Sequence, residues 1–286
     1  MVQISYFSLR FCAEVQKEGI MAKQPTTYYR PDNLAAALQL LQKPDTVPLA
    51  GGTKLIADDI TDAVVDLQDL GLNQANFAEN QLEIGAAMKL AELTAVLEGQ
   101  PDNTPPPLLL KAIHQAGANT YRNAATLGGS IASRLADSEL LAALLALEAT
   151  LVIHTPDTAE MSLVAYLDAA ERPFGLITAI HIPWQTGDGS SGRVARTPAD
   201  YPIVSVTVWQ PTGSTPHLAA TGVDVRPVRL AAAEQAVADG VNEHSVDAAA
   251  AAAKAQCTHP GDFRGDASYR ADMAAVLTKR VLLALK

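Results

Sequence analysis

Aromatic residues make up only 5% of this 286-residue chain, and cysteine occurs just twice. Cys12 and Cys257 stand at opposite ends and form no CxxC pair. They fall short of the four ligands that an iron–sulfur cluster or a structural zinc takes, so two thiols in a reducing cytosol are expected. The six histidines (His114, His154, His181, His217, His244 and His259) never fall at metal-ligand spacing, and no metal is expected on this chain. Lysine and arginine occur without runs and the formal net charge is −10. That balance excludes the electrostatic footprint of a nucleic-acid binder and opposes attraction to anionic membranes. No stretch approaches the about 20 apolar residues of a membrane helix. The apolar patch Ile4–Leu9 is followed by Arg10, Glu14, Lys17 and Glu18 and has no small-residue cleavage site. Residues 1–24 therefore read as an N-terminal extension and not as a signal peptide, and a cytoplasmic location is expected.

What is present is core material. Hydrophobic residues are 48% of the chain, alanine prominent among them, which suits a globular protein of two or three subdomains. Asp32–Gln42 reads as a helix, capped by Asp32 or Asn33 and closed by Pro44. A short strand, Thr46–Leu49, runs directly into Ala50-Gly51-Gly52-Thr53, a helical turn is expected at Lys54–Ile56, and Ala63–Leu67 reads as a buried strand. Further on, Leu82–Gly85 is a strand, Met88–Leu97 and Leu108–Ala118 are helices, and Ser138–Leu147 is a long apolar helix. Strands follow at Thr150–His154 and Phe174–Pro183. Gly187–Gly192 (GDGSSG) has the composition of a flexible joint. Beyond it come strands at Ile203–Trp209 and Leu218–Val225, and helices at Ala231–Ala238, Ser245–Gln256 and Ser268–Leu285. The expected organisation is an α+β protein with α/β-like lobes: a first lobe over 25–60, a second over 61–186, a linker at 187–192, and a C-terminal α+β domain with a small antiparallel sheet over 193–286.

Two glycine pairs carry the chemical signal. Leu49-Ala50-Gly51-Gly52-Thr53-Lys54 sits at a strand-to-helix junction, and Thr126-Leu127-Gly128-Gly129-Ser130 just precedes the apolar helix. Glycine tolerates positive φ, so consecutive backbone N–H groups can converge into a concave nest that fits a pyrophosphate. Threonine and serine hydroxyls add donors. Neither pair is GxGxxG or GxxxxGK[ST], which excludes the Rossmann and P-loop readings on spacing. A lone GG after a strand is more often a plain turn. Two such loops meeting in space would clamp one dinucleotide.

The order of these loops, with Tyr121-Arg122-Asn123-Ala124-Ala125-Thr126-Leu127-Gly128-Gly129-Ser130-Ile131-Ala132, resembles the FAD subunit of the xanthine dehydrogenase and carbon monoxide dehydrogenase family of molybdenum hydroxylases. The helix Glu139–Leu147 is similar to that family's LLAL stretch, and Gly261-Asp262-Phe263-Arg264-Gly265-Asp266-Ala267-Ser268-Tyr269-Arg270 with Val276–Arg280 to its C-terminal signature. The likeness spans residues 25 to 286. It implies a two-lobed PCMH-type FAD-binding domain, with FAD held non-covalently and molybdopterin and 2Fe-2S clusters only on partner subunits. By the same resemblance, Ala50, Gly51, Gly52, Thr53, Lys54 and Leu55 line the pyrophosphate, and Thr126, Gly128 and Gly129 form a second clamp. Ser130 stands where the family has Asn, and Glu139 where it has Asp. Arg193 stands for a lysine expected at the pyrimidine edge of the flavin, and Tyr201 for an aromatic expected near the isoalloxazine ring. Arginine's planar fork is not equivalent to an ammonium.

Each of these residues also has a plainer reading. Arg193 beside a Gly/Ser loop is otherwise a solvated charge, Tyr201 before a strand otherwise core packing, Glu139 otherwise a partner of the helix dipole, and the Tyr269-Arg270 pair structural. The implied function is electron transfer from the partner's clusters through FAD to NAD, oxygen or a quinone. Neither a nucleophile–base pair nor an acid–base dyad is evident. Two alternatives remain: a self-sufficient PCMH-fold flavin oxidoreductase, which would often attach its flavin to a histidine that neither loop contains, and a flavin-free scaffold subunit.

Overall fold

The computed structural model describes residues 25–55, 63–101, 104–155, 157–171 and 173–285. The expected extension over 1–24 and the end of the expected turn at Lys54–Ile56 lie outside these residues.

The first lobe is a β-α-β unit with a third strand. β1 (Tyr28–Tyr29) leads into α1 (Leu34–Leu41), then β2 (Thr46–Leu49) and β3 (Ala63–Asp66), and the three strands form a parallel sheet in the order β1-β3-β2. The helix starts where expected, because the Asn33 side chain accepts the Ala36 N–H at 2.8 Å. β3 pairs with β1 and β2, so this sheet runs past the expected lobe boundary at residue 60. Asp66, fully buried at the end of β3, accepts from the Tyr28 hydroxyl and the Gln68 N–H.

The second lobe holds a five-stranded antiparallel sheet in the order β4-β5-β8-β6-β7: β4 (Ala75–Ala78), β5 (Gln81–Gly85), β6 (Thr150–Thr155), β7 (Asp157–Ser162) and β8 (Leu176–Pro183). Its helices are α2 (Leu90–Leu97), α3 (Pro106–Gln115), α4 (Asn119–Ala124), α5 (Leu127–Ala132), α6 (Glu139–Ala146) and α7 (Leu163–Asp168). The two edge strands, β4 and β7, escape sequence pattern because they are largely exposed and show no apolar alternation. α6 is buried along its whole length and packs against both this lobe and the strands that follow.

Those strands form a four-stranded antiparallel sheet, β12-β11-β10-β9, from β9 (Gly187–Val194), β10 (Val204–Pro211), β11 (His217–Thr221) and β12 (Val228–Arg229). Three helices, α8 (Ala231–Ala236), α9 (Glu243–Ala255) and α10 (Ala267–Leu283), and the hairpin of β13 (Gly261–Asp262) with β14 (Gly265–Asp266) complete the domain. Val204, Val206 and Val208 face the core beneath α9 and α10, whereas Trp209 joins the core of the second lobe.

The expected flexible joint is corrected here: Gly187–Gly192 lies within β9, paired with β10 residue by residue. Its glycines are there for room. A Cβ on Gly187 or Gly189 would come within 2.8 or 2.9 Å of the Trp209 indole, and one on Gly192 would press on Leu277 and Val281 of α10. Small residues let the strand lie between a tryptophan on one face and a helix on the other. No described helix is long and apolar enough to cross a membrane.

Candidate functional site

β2 delivers Ala50–Lys54 to the edge of the second lobe. Gly52 holds φ +68°, the left-handed conformation that glycine adopts without a Cβ penalty. Gly51 lies against the backbone of Ala124 and Ala125: a Cβ there would overlap the Ala124 carbonyl and reach 3.1 Å from the Ala125 Cα. Lys54 adds a second tie, its Nζ standing 5.7 Å over the Tyr121 ring. The first glycine segment therefore meets the stretch that leads into the second, Ala124–Ala125. Among the described residues, no hydrogen bond uses the backbone N–H of Gly51, Gly52 or Thr53. Leu55 is half-buried where the described part of this loop ends.

The second segment is built differently. Ala125 accepts the Leu90 N–H at 2.9 Å, the Leu127 N–H donates to Met88 at 2.9 Å, and the Gly128 N–H donates to Ala86 at 2.8 Å. Thr126 caps α5 by accepting the Gly129 N–H at 3.1 Å, and the Ser130 hydroxyl donates back to the Thr126 carbonyl at 2.8 Å. The N–H groups of Gly128 and Gly129 are thus already engaged, which corrects the expectation of a second cradle of open backbone donors. Gly128 serves close packing: a Cβ there would lie 2.6 Å from the Ala86 Cβ and 2.8 Å from its carbonyl oxygen. The Thr126 hydroxyl proton is what this stretch can still offer. Arg122 braces the approach, donating to the Gly117 carbonyl at 2.6 Å and to the Asn119 Oδ1.

Beyond this junction a cleft is lined by Tyr121, Ser130, Asp137, Glu139 and Tyr201. Tyr201 is 44% exposed at its rim, so the core-packing reading fails. Glu139, the first residue of α6, is only 7% exposed, and its Oε2 stands 3.4 Å from the Arg193 Nε without an aligned hydrogen bond. Arg193 projects from β9 with its side chain 17% exposed and donates to the Pro198 and Asp200 carbonyls, so it is no solvated charge. Burial pushes the Glu139 carboxyl up to about 7; Arg193 and then Lys111 oppose this, and Asp137 adds to it. Its position in the first turn of α6 also favours the ionised form, but desolvation wins. Lys111, from α3, donates to the Ser191 carbonyl at 2.6 Å, and partial burial draws its ammonium down.

Sequence reasoning missed Lys111 and Asp137. Lys111 left no signal beyond being a lone charge in an apolar helix. Asp137 is held at 2.8 Å by Arg264, which lay within the C-terminal motif. That motif proves to be a brace. Arg270, 1% exposed, donates to the carbonyls of Ile203, Gly222 and Gly265 and to Asp262, in keeping with its structural reading. Burial would raise the Asp262 carboxyl, but the hydrogen bonds from Arg270 and from the Arg264 and Gly265 backbone hold it well below the usual carboxylate range.

The arrangement fits a flavin dinucleotide. It offers a glycine loop with a left-handed turn at Gly52, packed against Ala124 and Ala125 beside Tyr121, and a cleft with an exposed aromatic, Tyr201, and a half-buried Arg193 next to Glu139. Residues 22–185 match the family model described as the FAD binding domain in molybdopterin dehydrogenase, and residues 193–285 match the CO dehydrogenase flavoprotein C-terminal domain. The chain is 28% identical over 274 residues to the glyceraldehyde dehydrogenase medium chain of Sulfolobus acidocaldarius, covering 89% of this chain and 96% of that one. It is also 28% identical over 276 residues to the carbon monoxide dehydrogenase medium chain of Afipia carboxidovorans, covering 89% and 94%. Its fold matches a carbon monoxide dehydrogenase chain from Hydrogenophaga pseudoflava with a TM-score of 0.83 at 24% identity, over 93% of this chain and 98% of that one. The chain belongs to the FAD-binding medium-chain family of molybdenum hydroxylases, a family of oxidoreductases.

Proposed function

We propose that this chain is the electron-transfer subunit of a molybdenum hydroxylase complex in the cytoplasm. In this reading it receives electrons from the 2Fe-2S clusters of one partner subunit, while a molybdopterin subunit oxidises the substrate. A bound flavin would supply the two-electron chemistry, with NAD, oxygen or a quinone as the acceptor. The chain's own residues supply binding and electrostatics. The N–H groups of Gly51, Gly52 and Thr53 and the Thr53 hydroxyl would hold the pyrophosphate, with the Thr126 hydroxyl adding a donor. Tyr201 would flank the ring system. Arg193 and Lys111 keep positive charge beneath the cleft and favour added negative charge there.

The observation that carries this reading is the contact of Gly51 with Ala124–Ala125, which brings a loop whose backbone donors have no partner among the described residues next to the Tyr121–Glu139–Tyr201 cleft. The test is a visible absorption spectrum of the purified chain, followed by heat release and chromatography of the cofactor. Oxidised-flavin bands and free FAD are the expected result. A colourless protein that also fails to take up added FAD would overturn the reading and favour a scaffold.

A further inference from the structure

Glu139 poses a question that cofactor binding alone does not answer. Its Oε2 and the facing Arg193 Nε are both buried and both without a hydrogen bond, so this oxygen of a cleft-lining carboxylate meets the guanidinium through charge alone. A buried carboxylate beside a guanidinium normally forms an aligned pair, because each unmet group costs free energy. Here the second oxygen is left unbonded against the cation.

We propose that Glu139 is a proton-holding residue, which takes up a proton from solvent when negative charge arrives in the adjoining cleft, so that electrons enter this subunit with their charge compensated. The inference rests on the flavin reading. Two electrons from a one-electron donor of the iron–sulfur class and one proton from solvent leave the reduced flavin with one negative charge. A second proton from solvent forms the O–H of Glu139. Two electrons and two protons are taken up in all, and the donor is oxidised by two electrons.

The surroundings poise this carboxyl. The charged groups facing it are Arg193 from β9, Lys111 from α3 and Asp137 from the turn before α6, with Asp137 itself neutralised by Arg264. Tyr121 and Tyr201 share the cleft. His217, Arg229 and Glu148 gather at the opposite end of α6, and Asp168 of α7 is paired with Arg226. Burial outweighs the two cations, which holds the carboxyl up at about 7. One added charge within about 10 Å, at an effective dielectric of about 20, moves a neighbouring carboxyl by about one pK unit, a tenfold change in its protonation.

The test is reduced-minus-oxidised infrared difference spectroscopy of the flavin-loaded chain, reduced at an electrode at about pH 7.5. The expected result is a carboxylic-acid C=O band that appears on reduction, moves on ¹³C-glutamate labelling of the wild-type protein and is lost in Glu139→Gln. In Glu139→Asp the carboxylic band should persist but no longer respond to labelled glutamate, which assigns it even if the glutamine variant folds poorly. Flavin that is reduced with no glutamate band, or with the same band in Glu139→Gln, would overturn the inference and leave the flavin reading standing. A wild-type chain that binds no flavin would overturn that reading and the inference with it.

Discussion

The two glycine pairs look alike in sequence and do opposite work. Around Gly51 and Gly52 the backbone donors have no partner among the described residues, and Gly51 is needed because another chain segment lies against it. Around Gly128 and Gly129 the donors are spent within the protein, on Ala86 and on the Thr126 cap. The first loop is a donor surface. The second is a joint that packs the glycine loops, the sheet strand before α2 and α6 together, and its further contribution is the buried charge of Glu139 at the start of α6. A GG pair therefore says that backbone must come close to something, and only the hydrogen-bond ledger says whether that something is protein or ligand.

This contrast predicts a graded series. Gly51→Ala should have the largest effect: its Cβ meets backbone that no rotamer change can relieve, so the loops must part. A loss of about 3 kcal/mol in unfolding free energy is expected from overpacking of this kind, together with loss of FAD binding, read by denaturant titration and by flavin retention. Glu139→Gln tests the charge contribution through pH. The folded carboxyl sits at about 7, above its ordinary value of 4.5, so the stability associated with its neutral form is full below about 4.5 and is lost as pH rises through about 7. Glutamine cannot ionise. The variant should therefore gain on the order of 2 kcal/mol relative to wild type between those limits, measured as the difference of two thermal-unfolding pH profiles.

Gly128→Ala comes next, at about 2 kcal/mol, because its Cβ meets the Ala86 Cβ and carbonyl. Combining it with Ala86→Gly should recover part of the loss, and additive losses in that double mutant would contradict the packing role. Gly129→Ala should be mildest. The nearest atom to its Cβ is the Thr126 Oγ1 at 2.9 Å, the tip of a side chain that can turn, and alanine suits a helix better than glycine. A change under about 1 kcal/mol with FAD affinity intact is expected; a collapse of flavin binding would show that this N–H reaches the ligand after all.

Much of the fold was legible from apolar periodicity: the Leu34, Leu38 and Leu41 face of α1, the apolar run of α6 and the Val204–Trp209 run. The choice of Asn33 over Asp32 as the cap of α1, and of Ser138 as the cap of α6, came from the structure. The edge strands β4 and β7 were not, since an exposed edge carries no burial pattern. GDGSSG misled for a specific reason: the composition that makes a linker flexible also makes a strand thin enough to pass between Trp209 and α10. At the site, the two glycine loops and the residues Glu139 and Arg193 could be singled out from ordered motifs, but the meeting of Arg193 with Glu139 and the relevance of Lys111 and Asp137 could not, because they come from tertiary contacts alone. Which glycines keep free donors was equally invisible, since hydrogen bonds to Ala86 and Met88 depend on a neighbouring loop some 40 residues away.

The most direct test of the two-loop account is the backbone amide NMR spectrum of the ¹⁵N-labelled, flavin-free chain as FAD is added to saturation. The account predicts large downfield proton shifts for the Gly51, Gly52 and Thr53 amides as they take up phosphate oxygens, with the Gly128 and Gly129 amides moving little. Large shifts at Gly128 and Gly129 with the first loop unmoved would contradict it.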